Sequence, residues 1–170
     1  MDIHRPWQDL ILHQFRRVRA DLLDLLDGAR PAELDRQVLP GTNSTGWLAW
    51  HIARGQDRNL SELVGVEQLW VAQGWAEQFG RAADPADTGF GHSAEAAAAF
   101  RSPSVELLLA YHGAAHALAE RYLRTAPDDD LHRAVTSPTL GNTHTVAERL
   151  TGQLHDSVAH TGQIGLLLGR

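Results

Sequence analysis

A chain of 170 residues with 43% hydrophobic and 21% charged residues has the size and make-up of one globular domain, 1–170, with a real core. Its formal charge of -6 excludes the basic face of a general nucleic-acid binder. The absence of cysteine and of lysine excludes disulfides, thiolate nucleophiles, cysteine-based zinc sites, Schiff-base chemistry and the P-loop lysine.

Apolar spacing is helical nearly throughout. "PWQDLILHQFRRVRADLLDLLDG" opens with Pro6 and closes on Gly28, and Leu10, Ile11, Phe15, Val18, Leu22 and Leu25 form its amphipathic stripe. "PAELDRQV" predicts a helical turn, followed by the loop "LPGTN". Ser44 or Thr45 can cap a second long helix, "GWLAWHIARGQDRNLSELV", whose stripe runs through Leu48, Ile52, Gly55, Asn59 and Leu63. The stretch from Gly65 to Pro103 is rich in Gly, Asp and Ala but contains "LWVAQGWAEQFG" and a short "SAEAAAAF" helix, so it reads as a decorated crossover. "SVELLLAYHGAAHALAERYLRTA" is a third long helix, stopped at Pro127. "PDDDLHRAV" predicts a further turn and "TSPTLGN" a loop, after which Thr143 to Glu148 starts a fourth long helix that runs to Gly169. No alternating strand pattern, repeat or low-complexity segment stands out. The fold class is therefore all-α, a four-helix bundle with a long crossover between helices two and three. No apolar run approaches the ~18 residues of a membrane span, and the start "MDIHRPWQDL" lacks the layout of a secretion signal. A cytoplasmic protein is expected.

The residue type in excess is His, with ten copies. On helix four, at about 100° per residue, the apolar stripe is Val146, Leu150, Leu154, Ile164 and Leu168. His160 lies roughly 70° from its centre, and Asp156 is about 40° further round and one turn earlier, close enough to share an ion with it. His155 falls roughly 150° away, toward solvent. His51 lies at the edge of the helix-two stripe. One imidazole from helix two and an Asp/His pair from helix four would make a three-ligand site with open positions, suited to zinc, nickel, iron or manganese. His112 and His116 on helix three are also four apart, so spacing alone does not choose between the two pairs. Asp57 lies about 120° around helix two from His51, which suits a supporting role or a pairing with Arg. Arg54 and Arg58 read as solvent-facing, with an anionic substrate as the alternative. Trp47, Trp50, Trp70 and Trp75 read chiefly as a seal between bundle and crossover, and otherwise as aromatic walls beneath a lid.

These residues carry a resemblance. "GTNSTGWLAWHIARGQDRNLSEL", "LWVAQGWAEQFGRAADPADTGFGHSAEAAAAF", "AYHGAAHALAERYL" and "VAHTGQIGLLLGR" resemble the DinB-like superfamily, in particular its branch of mycothiol transferases and domains of unknown function. The resemblance implies an up-up-down-down bundle, often dimeric, with a divalent metal bound by one His of helix two and a pair from helix four. Matched position by position, His51 and His160 are ligands, and Asp156 stands where the wider family often has His. To put His155 in that role would need an irregularity such as a π-bulge. The resemblance further implies a cosubstrate, a low-molecular-weight thiol such as mycothiol, held through its sulfur as thiolate, the nucleophilic form, for transfer to an electrophile. Asp57, His112 and His116 are then candidates for supporting the ligands or meeting the substrate. The rival readings are a metal-dependent hydrolase on the same scaffold and a non-catalytic dimeric stress-response or binding module. In each reading the expected partners are small molecules and a second copy of the chain, not nucleic acid or membrane.

Overall fold

The computed structural model describes residues 6–170; the expectation that the chain opens without a secretion signal rests partly on residues 1–5, which lie outside them. Helix α1 (Pro6–Leu26) starts on proline, whose fixed φ and missing N–H suit a first helical position. Its buried line runs through Leu12, Phe15, Val18, Leu22 and Leu26. Leu10, expected in that stripe, is 62% exposed, because it lies about 200° from Leu12 around the helix. The short α2 (Pro31–Leu34) leads to α3 (Thr45–Val64), where Ser44 is the N-cap and accepts from Trp47 N–H. Helix α3 is buried around nearly its whole circumference and carries Arg54, Gln56, Asp57, Asn59 and Ser61 inside with its apolar residues. It is the central helix, so its polar residues need partners within the protein.

The crossover contains α4 (Leu69–Ala72), α5 (Trp75–Gln78) and α6 (Ala94–Ala99). Helix α7 (Val105–Thr125), capped by Ser104, is followed by a 3-10 turn at Asp130–His132. Helix α8 (Val146–Leu168) opens on a capping box in which Thr145 and Glu148 satisfy each other's backbone N–H groups. α3 packs on α7 and α8, and α1 packs on the same two helices. The four long helices thus close a ring in which α1 and α3 stand across from each other.

A correction to the all-α reading lies between α7 and α8. Strands β1 (Ala134–Thr136) and β2 (Thr143–Thr145) pair antiparallel, with Val135 opposite His144. Three-residue strands are too short to alternate visibly in sequence. Their hydrogen bonds and the turn between them make a small flap against the end of α3, where Ser137 Oγ donates to Glu62 and Arg149 Nη2 to the Val135 carbonyl. Among the described residues no helix is long and apolar enough to cross a membrane.

Candidate metal centre and adjoining cavity

His51, from the middle of α3, meets Asp156 and His160 from the middle of α8. His51 Nε2 is 3.7 Å from one carboxylate oxygen of Asp156, and His160 Nε2 is 3.2 Å from the other. The two imidazole rings stand edge to face with centroids 5.1 Å apart. One donor atom from each residue lies within 4.8 Å of the other two. Atoms bound to a common ion at about 2.0–2.2 Å lie about 3–3.5 Å apart, so a small inward movement closes the set. The i, i+4 spacing stacks Asp156 and His160 on one face of α8, and packing of α8 on α3 supplies the third donor. His155 is exposed.

The hydrogen bonds behind these three side chains decide what they could hold. His51 Nδ1 lies 2.5 Å from the Thr88 carbonyl oxygen, and His160 Nδ1 lies 2.9 Å from Gln163 Oε1. Each oxygen is an acceptor, so each Nδ1 carries a proton and donates it; Nε2 then either carries a second proton toward Asp156 or, with a cation bound, offers its lone pair. In either state positive charge faces the Asp156 carboxylate, as a proton on an imidazole or as a cation among three donors. Burial opposes ionisation of Asp156, but hydrogen bonding with His160 and His51 outweighs it and holds the carboxyl below the usual carboxylate range. The bond to Asp156 in turn raises His160 above the ordinary imidazole value. Two imidazoles and one carboxylate fit a borderline divalent cation, and three ligands leave room for a further one.

The crossover fixes the orientation of His51. Thr88 precedes Gly89, whose φ is +86°, and a Cβ on Gly89 would come within 2.8 Å of both His51 Nδ1 and Trp47 Cζ2. Only glycine combines that backbone angle with that approach. Trp47 stacks on the His51 ring at 4.8 Å and 16°. Behind them Arg54 is fully buried, contrary to its reading as a solvent-facing residue. Its Nε donates to the Asp87 carbonyl, its Nη2 to the Pro85 carbonyl and Gln68 Oε1, and its Nη1 to Tyr111 Oη and Asp57. Asp57 also accepts from the N–H groups of Leu69 and Trp70, from Ser61 and from Tyr111. Burial in particular raises Tyr111 well above an ordinary phenol, so it donates as a neutral hydroxyl. Asp57 thus supports the site at a distance: it anchors Arg54, which holds the crossover at Asp87, next to the carbonyl that orients His51. An Asp three residues after an Arg on a helix was the only hint of this pair in the sequence.

The remaining aromatic residues act as a seal. Trp50 and Trp70 are fully buried and pack edge to face at 6.0 Å, with Phe100 and Tyr111 against them. His112 and His116 are buried, stacked at 6.3 Å, and do not line the cavity beside the ligands. Burial, then the neighbouring His116 and Arg19, push His112 down to about 3. The structure therefore separates the two i, i+4 pairs that spacing could not.

A cavity of about 490 Å³ opens beside His51 and Asp156, between α3, α8 and the β1–β2 flap, within the size range of small-molecule sites. Arg58, Arg149 and His144 line it, with Phe90 and Leu140 at its margins. Arg149 and His144 had no signal in the sequence that set them apart; Arg58 had one, since it follows His51 by two turns of α3.

A family model described as the DinB superfamily matches residues 14–164. The crystal structure of a conserved protein of locus from Enterococcus faecalis superposes with a TM-score of 0.82 at 27% identity, over 95% of this chain and 97% of that one. No functionally curated protein shows significant similarity.

Proposed function

The chain belongs to the DinB superfamily, and on that premise we propose that it is a metal-dependent enzyme that transfers a low-molecular-weight thiol of the mycothiol type to an electrophilic small molecule. The observation that carries the reading is the convergence of His51 Nε2, His160 Nε2 and the Asp156 carboxylate, with both Nδ1 atoms committed to oxygen acceptors. A divalent ion such as zinc, nickel or iron held there would keep a thiol sulfur in its anionic, nucleophilic form near neutral pH. The chain has no cysteine, so the reacting sulfur must come with the cosubstrate. Thr88 and Trp47 hold the His51 ring in register, and Gln163 does the same for His160. The cavity, lined in part by Gly55 and Gly152, reaches His51 and Asp156, and in this reading it would receive both reactants. The placement of α1 across from α3 suits an up-up-down-down course, and we read the assembly as a homodimer, which sedimentation would test.

The experiment is metal content by elemental mass spectrometry on untagged protein, beside His51→Ala and His160→Ala. Near-stoichiometric metal in the parent and its loss from both variants is expected. A metal-free parent that also fails to take up added zinc, nickel or iron overturns the reading and favours a binding module. Consumption of thiol in the presence of an electrophile, against consumption of water, separates the transferase from a hydrolase.

A further inference from the structure

The cavity has a second polar end that the metal ligands do not explain. Arg58 is seven residues after His51 on α3, so the two share a face about 10 Å apart along the helix. Its side chain is only 15% exposed, yet among the described residues its guanidinium makes no hydrogen bond. Its nearest carboxylate, Glu62, is 3.6 Å away and already engaged: Arg149 Nη1 donates to it at 2.8 Å and Ser137 Oγ at 3.0 Å. Arg149 is 5% exposed, and its Nε is buried without a partner. Glu62 is therefore saturated by Arg149 and Ser137, and Arg58 is left with N–H donors that no acceptor among the described residues takes, at a cavity whose other carboxylates, Asp156 and Glu148, line it elsewhere. Burial acts most strongly against the charge on Arg58; Glu62 supports it and Arg149 opposes it, with Arg54 adding to the opposition and Asp156 to the support, and an incoming anion would offset the cost of burial.

We propose that this end of the cavity binds a carboxylate group of the substrate on Arg58, so that the enzyme selects molecules that carry a carboxylate at the end away from the reacting group. The fork of N–H donors matches two carboxylate oxygens, and the carboxylates of Asp156 and Glu148 in the same lining disfavour a more highly charged anion such as a phosphate dianion. Phe90 and Leu140, 76% and 40% exposed, offer apolar contact to the segment between the two ends. The inference rests on the proposed function only for what happens at the metal end; anion recognition by Arg58 stands apart from it.

The test uses hexanoate and 1-hexanol as probes, titrated into the protein as isolated and followed by ligand-observed NMR. The parent should bind hexanoate about tenfold more tightly than hexanol, the scale of a charge-assisted hydrogen-bond pair. Arg58→Gln should remove that preference and leave hexanol binding and the thermal midpoint unchanged, since Arg149 still holds Glu62. Arg58→Lys should keep the charge and lose the fork, giving an intermediate preference. His160→Ala should leave the preference intact. Equal binding of the two probes by the parent, a preference that survives Arg58→Gln, or one lost in His160→Ala instead would overturn the proposal. A protein without metal that still shows the Arg58-dependent preference would refute the proposed function and leave this site standing.

Discussion

Asp57→Asn removes a charge from the middle of the bundle, and the structure sets the size of the effect. The carboxylate is fully buried and faces Arg54 Nη1 at 3.3 Å. It accepts from Leu69 N–H and Trp70 N–H at 2.8 Å, from Tyr111 Oη at 2.7 Å and from Ser61 Oγ at 2.9 Å. An amide keeps one acceptor oxygen but turns an NH2 group toward donors, and it leaves Arg54 without a counter-charge. Breaking a buried pair from one side costs about 3–5 kcal/mol. Arg54 retains Tyr111, Gln68 and two crossover carbonyls, which places the loss at the lower end, about 3 kcal/mol. Against a total stability of about 5–15 kcal/mol the variant still folds. At a urea slope of about 2–3 kcal/mol/M the midpoint should fall by roughly 1–1.5 M. Equilibrium unfolding followed by tryptophan fluorescence and by far-ultraviolet circular dichroism measures it. A cycle with Arg54→Met should show a coupling of about 1–3 kcal/mol, the double variant being less damaged than the sum of the singles. A midpoint shift below about 0.3 M, or strict additivity, would refute the claim that this pair pins the crossover.

Three further substitutions probe other parts of the chain. Gly89→Ala forces a side chain onto a φ of +86° and into His51 and Trp47; it should cost about 1–3 kcal/mol and weaken metal retention about 10–100-fold in competition with a chelator. Gly91→Ala, at φ +77° with open space around its Cβ, should show a backbone cost alone, and equal metal affinity in the two variants would contradict the role given to the Thr88–Gly89 turn. For His112 the native pKa of about 3 lies below the unfolded value of 6.5. Between those values the unfolded chain binds a proton that the native chain refuses, so stability is complete above 6.5 and falls as the pH drops toward 3. At about 1.4 kcal/mol per pH unit, the loss from this residue at pH 5 is about 2 kcal/mol. Urea unfolding of the parent and of His112→Leu at pH 7.5 and 5 should differ by that amount in their pH dependence; an equal drop in both would remove His112 from the account.

Local physics made much of this protein legible in its sequence. Pro6 and Ser44 mark helix starts because each answers a steric or hydrogen-bonding need within a single turn, and three-to-four-residue apolar spacing identified the long helices. The same periodicity put Asp156 and His160 on one face of α8 and His155 on another. Arg58 could be placed near His51 along α3, but not identified as a group without a hydrogen bond.

Only the tertiary structure brought His51 to the Asp156/His160 pair and not to His112 and His116, which have the same spacing, because that contact joins residues more than a hundred positions apart. It alone buried Arg54, since whether an arginine faces water depends on what packs over it, here a crossover whose own carbonyls need a donor. It also formed the β1–β2 flap, whose strands are too short for periodicity and are held by their hydrogen bonds to each other and to side chains of α3 and α8. Helix and cap are decided by neighbours within about four residues; burial, tautomer and charge balance are decided by whatever segment arrives from elsewhere in the chain.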